Sequence, residues 1–314
     1  MTSRTMWLPL SAALSLLACL TYESSAMAVR DHGPGLPGPP RPPPPPPRPK
    51  GPSRPVPWQA MVSLSEGGSP GGFGGGALLS DRWVLTAGRN LFVEADRKHT
   101  QGQKPQVPKV YLGVAKFQDA EPSKEVAVEE VFLHPGFQNT SDWENDIALI
   151  KLRDPVNFNN TLMPIPLPEG EDQEETPGEM AIFGAWDMGI AHQLPGAIKY
   201  LKLPVVSREE CRAGFQSGRG PVIDSKMFCT GPSEFFINVC FSDAGSALVF
   251  QNPKTNRVYA AGIVSFETAC AFRKHAVSTR ISAHLPWIRD IMREDQEVSA
   301  QRESLVANLY SGKI

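Results

Sequence analysis

From Trp58 onward the chain alternates between short apolar runs and turn-forming residues. The runs WQAMVSL, GALLS, RWVLTA, KVYLGV, VAVEEVFL, IALIKL, EMAIFGAW, IKYLKLPVV, SALVF, RVYAAGIVSF and AVSTRI are rich in β-branched and aromatic side chains, and Gly, Pro, Asn, Asp and Ser lie between them. Runs of this length bounded by such breakers are strands. So many strands with so little helical periodicity predict an all-β architecture of packed sheets or closed barrels. The clearest helical spacing comes late. SAHLPWIRDIMRED places apolar residues three and four apart behind a serine, which predicts a C-terminal α-helix. The residues after about Glu297 are polar, and 296–314 is expected to be a loosely ordered tail.

The chain before Trp58 has a different character. Arg4 precedes the apolar run MWLPLSAALSLLACL, and the small residues of YESSAMA follow. The run is too short to span a membrane comfortably. It reads as a secretory signal over 1–28, cleaved near Ala26 or Ala28, so the chain is expected outside the cell and free of membrane anchoring. A proline-rich leader over 29–57 follows. Fourteen of the twenty-five residues from Gly33 to Pro57 are proline, six of them consecutive at Pro42–Pro47. Proline lacks the N–H that helices and central strands require, so this leader is expected to be an extended polyproline II spacer. The packed domain is expected over 58–295.

Charge and composition narrow the function. A net charge of −2 on 314 residues lacks the basic excess of a nucleic-acid binder. Cys19 leaves with the signal, and Cys211, Cys229, Cys240 and Cys270 remain. An even number in an exported chain predicts two disulfides, for which three pairings exist. No CxxC pair occurs, so no zinc site and no other metal or cofactor is expected. Asn139-Thr-Ser and Asn159-Asn-Thr are glycosylation sequons beside loop-like sequence.

The order of landmarks is more specific. PWQAMVSL, GGALLSDRWVLTAGRN, LHPGFQN, NDIALIKL, LPVVSREEC, MFCTG, CFSDAGSALV, AAGIVSFETACA and HLPWIRDIM follow one another from Trp58 to Met292. Together they resemble the chymotrypsin-like (S1) serine protease family. The resemblance implies two packed antiparallel six-stranded β-barrels with a C-terminal helix. Active members need a serine, a histidine and an aspartate in one place. The matching positions are Ala244, Arg89 and Asp146. Alanine has no nucleophilic atom, and a guanidinium stays protonated and cannot act as a general base. The chain is therefore expected to be an inactive homologue, with Arg89 and Asp146 forming an ion pair in place of the catalytic couple.

Other departures agree with this. Ser242 stands where the family has an oxyanion-hole glycine. Asn238 and Glu267 stand at the floor and wall of the specificity pocket, with Glu267 replacing a glycine. Gly74 and Asn90 replace the cysteine pair that flanks the histidine loop, and Pro166 replaces a cysteine that would tether a cleaved fragment. Activation in the family cuts before an Ile/Val-Val-Gly-Gly segment, and the new ammonium pairs with the aspartate matching Asp243. RPKGPSRPV stands there instead. An uncut chain is expected, and the partner of Asp243 is left unassigned. The resemblance implies the pairings Cys211–Cys229 and Cys240–Cys270.

Within the family, TAGRNLF, DAGSA, YAAGIVSFETACA and MPIPLP resemble the haptoglobin branch. That resemblance implies a secreted plasma glycoprotein of the acute-phase, antioxidant kind, which binds the free haemoglobin αβ dimer through loops that cannot be named from sequence. The disulfide-rich complement-control module that usually precedes this domain has no counterpart, because no cysteine occurs between Ala26 and Arg208. Scavenger-receptor recognition would need basic residues before MPI, where RDPVNFNNTL offers only Arg153, so it is not expected. The alternative function is a pseudoprotease cofactor in an extracellular proteolytic or immune cascade. A hydrolase with displaced chemistry would need a cluster that the scattered His32, His99, His134, His192, His275 and His284 do not suggest.

Overall fold

A computed structural model describes residues 56–64, 73–171, 173–186, 196–215, 220–234, 238–267 and 275–310. The expected signal, most of the leader, and Cys270 lie outside these residues. Compact units divide the chain at Pro47, and every described residue belongs to the second unit.

The first half builds one antiparallel sheet from β1 (Gln59–Ser63), β2 (Phe73–Leu78), β3 (Trp83–Thr86), β4 (Lys109–Leu112), β5 (Glu125–Val126), β6 (Val128–Leu133) and β7 (Ala148–Leu152). Its order is β5-β4-β1-β2-β3-β7-β6. The run VAVEEVFL was expected to be one strand; the structure divides it at Ala127, whose carbonyl accepts the N–H of Arg153 at 2.8 Å. The two end strands of the sheet are thus consecutive pieces of one segment, and the sheet curls round on itself. It has seven strands rather than six because of this break.

The second half forms a closed six-stranded barrel from β8 (Met180–Trp186), β9 (Ile198–Val206), β10 (Met227–Thr230), β11 (Ala247–Gln251), β12 (Val258–Glu267) and β13 (Ala276–Arg280), in the order β10-β13-β12-β11-β8-β9. Period-two alternation shows best in β9. Leu201, Leu203 and Val205 are buried while Tyr200 and Lys202 are exposed. The inward residues pack with Phe183, Phe228, Leu248 and Val264. Several strands are buried throughout, because one face fills a barrel and the other meets a neighbour. In the seam, Leu85 and Leu149 of the first sheet and Ile147 just before β7 meet Val249, Ala260 and Ile263 of the barrel and Leu285 and Ile288 of the last helix.

Two short helices, α1 (Arg97–Thr100) and α2 (Arg208–Gly214), precede the long α3 (Leu285–Tyr310). Ser207 caps α2 by accepting the N–H of Glu210 at 3.1 Å. The α3 helix runs past Glu297, where the apolar spacing ends. QEVSAQRESLVANLY contains no proline or glycine, so no breaker stops it. The Lys151 ammonium of β7 ties α3 to the first sheet, reaching Glu129 at 2.8 Å and Asp295 at 2.5 Å.

Candidate functional site

The seam brings together Arg89, Asp146 and Ala244, the three positions expected to match the family's catalytic residues. Arg89 lies in a short 3-10 turn, Gly88–Leu91, directly after β3. Asp146 precedes β7 and is fully buried. One carboxylate oxygen accepts the main-chain N–H of Arg89 at 2.7 Å, and the other accepts the Ser265 hydroxyl at 2.7 Å. Burial raises the Asp146 carboxyl above its usual range, against the pull of the Arg89 charge and the Ser265 hydroxyl.

The expected Arg89–Asp146 ion pair does not form. The Arg89 guanidinium points instead to the carbonyl of Ser265 and lies 4.8 Å from the ring centre of Trp143. The carboxylate already has a hydroxyl and an amide as donors, and the guanidinium finds an uncontested carbonyl and a π face. Trp143 adopts a left-handed φ of 69° and also packs against Phe266 at 5.1 Å. Arg89, Trp143 and Phe266 therefore form one contiguous cluster.

Ala244 is 1% exposed. Its methyl offers no lone pair, but the turn around it is fully framed. The Ala244 carbonyl accepts the N–H of Gly75 at 2.7 Å and the Asn90 side-chain amide at 2.8 Å. Gly245 takes φ of +90°, and a side chain there would collide with the Gly75 carbonyl and the Thr86 hydroxyl, so only glycine serves. Its N–H donates to the Val264 carbonyl at 2.8 Å.

Gly74 and Asn90 are neighbours in space as the resemblance implies, and a methyl on Gly74 would strike the Asn90 carboxamide. That carboxamide also reaches the Thr86 hydroxyl at 3.0 Å and the Gly75 carbonyl at 3.3 Å. Polar contacts thus stitch the two positions together.

Sequence reasoning missed the partner of Asp243. Lys199 Nζ stands 2.7 Å from Asp243 Oδ2 and donates to the Asn238 carbonyl at 2.9 Å, with the two side chains 3% and 0% exposed. The signal was present: in IKYLKLPVV, Lys199 falls on the same face as Leu201, Leu203 and Val205, so period two points a charge into the barrel. Asp243 also accepts the N–H of Cys240 at 2.7 Å.

Asn238, Ser242 and Glu267 are all buried. The carboxylate oxygens of Glu267 have no hydrogen-bond partner among the described residues. Burial pushes Glu267 up to about 7, with Arg89 and Lys199 opposing and Asp243 and Asp146 reinforcing the rise. Three carboxyls thus act on one another and on two cations.

The remaining positions lie outside this cluster. A disulfide joins Cys211 of α2 to Cys229 of β10. Cys240 is disulfide-bonded, while Cys270 lies outside the described residues. Asn139 and Asn159 are exposed, and Asn159 Oδ1 accepts the Thr161 N–H at 2.8 Å. Arg153 and most of the loop after it are exposed, with Phe158 and Met163 at the surface. His134 and His284 meet edge-on at 5.2 Å, and burial pushes His134 down to about 4. Among the described residues no group of three His, Cys, Asp or Glu could hold a metal, and no helix is long and apolar enough to cross a membrane.

The Trypsin family profile matches residues 48–288. Haptoglobin of Mesocricetus auratus is 32% identical over 250 residues, which is 75% of this chain and 66% of that protein. Haptoglobin of Cervus elaphus is 32% identical, over 74% of this chain and 57% of that protein. Haptoglobin-related protein of Pan troglodytes is 30% identical, over 76% of this chain and 67% of that protein. The chain thus spans about three-fifths to two-thirds of the length of these relatives.

Proposed function

The chain belongs to the trypsin family, and from that premise we propose that it is a secreted, non-catalytic, haptoglobin-like protein that binds free haemoglobin. The observation that carries the non-catalytic part is Ala244. Its turn keeps its full frame of hydrogen bonds while the one atom a nucleophile needs is missing. An arginine also stands where a proton acceptor would be, and its guanidinium is committed to Ser265 and Trp143. Glu267 fills the wall of the former pocket. Such a scaffold has exchanged turnover for a rigid surface.

The haemoglobin part rests on the likeness to haptoglobins at about one residue in three. In this reading the surface loops grip the globin αβ dimer and shield its haem from oxidative chemistry, and the chain itself supplies no haem ligand. The signal over 1–28 and the leader over 29–57 deliver and space the domain, Asn139 and Asn159 carry glycans, and Cys240 pairs with Cys270.

Mixing the secreted chain with haemoglobin at about 1 μM and following complex formation by size-exclusion chromatography tests the reading. A co-eluting complex is expected; no shift overturns it. A fluorophosphonate probe tests the non-catalytic part, because specific covalent labelling would require a nucleophile that the proposed site lacks.

A further inference from the structure

We propose that Lys199 is a built-in latch. Its ammonium, supplied from inside the uncut chain, holds Asp243 and through it the Cys240–Ser246 turn in the ordered form, so this region assembles without proteolytic processing.

The latch follows from where the charges lie. Lys199 points into the barrel, and its ammonium has two acceptors, Asp243 Oδ2 at 2.7 Å and the Asn238 carbonyl at 2.9 Å. Asp243 receives the Cys240 N–H on its carboxylate, and its own N–H donates to the Cys240 carbonyl at 2.8 Å. The Asp243 carbonyl accepts the N–H of Ser246 at 2.9 Å, and the turn continues through Ala244 to Gly75 of β2. One ammonium therefore fixes Asn238, Asp243 and Cys240 and, one bond further on, the contact between the barrel and the first sheet.

Among the described residues, Arg89 is the other positive charge acting on Glu267 of this cluster, and its guanidinium is engaged by Ser265 and Trp143. Glu267 and Asp146 add negative charge nearby. Removing the Lys199 charge would take the ammonium from a fully buried carboxylate that has two further acids nearby, and breaking a buried pair on one side is strongly destabilising. The barrel would survive, because Leu201, Leu203 and Val205 still fill it; the turn would open. The latch holds whichever partner the chain binds.

Hydrogen–deuterium exchange on the uncut secreted chain tests it. In Lys199→Met, exchange over residues 238–246 is expected to rise on the order of 100-fold while β1 to β4 keep their protection. Lys199→Met combined with Asp243→Asn removes both charges and is expected to recover most of the protection. This pair of variants also separates loss of charge from loss of packing if the single variant folds poorly. Wild-type protection in Lys199→Met overturns the latch, and so does equal loss in the single and double variants. Trimming the leader from the wild-type chain is expected to change nothing in 238–246; a gain in protection would assign the lock to a new chain end and overturn it as well.

Discussion

Asp146 accepts the main-chain N–H of Arg89 at 2.7 Å, while the Arg89 guanidinium makes its own contacts with Ser265 and Trp143 and acts on the carboxylate only through space. The side chain at 89 is therefore separable from the bond that orients the carboxylate. Arg89→Ala keeps that bond and loses the guanidinium contacts, at about 1–2 kcal/mol. Asp146→Ala leaves the Ser265 hydroxyl and the Arg89 N–H without an acceptor in a closed interior and is expected to cost about 2–4 kcal/mol. Chemical denaturation of both variants checks the order; a larger loss in Arg89→Ala would contradict it.

Glu267 makes stability fall as pH rises. Its folded value of about 7 lies above the ordinary 4.5, so between those limits the folded state holds more protons than the unfolded state. Stability is then highest below the unfolded value and is lost as pH climbs through the folded one, by about 3 kcal/mol across the window. Glu175, ion-paired at 2.7 Å with Arg280 and also raised to about 7, adds a slope of the same sign. Urea midpoints from pH 5 to pH 8 should decline, and Glu267→Gln should flatten the decline. An unchanged slope in that variant would rule out Glu267 as its source.

Gly74 and Asn90 should behave as one unit. Gly74→Ala drives a methyl into the Asn90 carboxamide, and Asn90→Ala removes three hydrogen-bond contacts, to Ala244, Thr86 and Gly75. Each single change is expected to destabilise by about 1–3 kcal/mol. The double variant should cost clearly less than the sum, because the methyl then fills the space the carboxamide left. Additive losses in a thermal-melt cycle would show that the two do not share that space.

Restoring two side chains should not restore a protease. Ala244→Ser with Arg89→His supplies a hydroxyl and a base beside Asp146, yet Glu267 remains buried at the position proposed for the pocket wall. Peptide hydrolysis is expected to stay undetectable until Glu267→Gly is added. Turnover in the double variant alone would show that the pocket is open.

Much of the architecture was legible because it rests on local pattern. Strands announced themselves by apolar runs between breakers, and the order of landmarks singled out Arg89, Asp146 and Ala244 as positions to compare in space. What stayed hidden depends on neighbours distant in sequence. No local rule says that the Arg89 guanidinium prefers a carbonyl and an indole face to a nearby carboxylate. Nor does any local rule divide VAVEEVFL at Ala127, since the break is decided by where the Arg153 N–H finds an acceptor. Lys199 lay between these cases. Its inward register could be read from period two, but its partner, Asp243, is supplied by another part of the barrel.

The tie between Lys151, Glu129 and Asp295 bears on how the chain is made. Lys151 is nearly sealed from solvent, and one of its two carboxylates lies on the last helix. As the chain emerges from the ribosome, the first sheet can close while that ammonium still lacks its second counter-charge. Its electrostatics are completed only when α3 docks. Chains truncated before Asp295 would carry a half-neutralised lysine in an otherwise finished sheet, a defect that cellular quality control would meet as an unstable fold rather than as a missing tail.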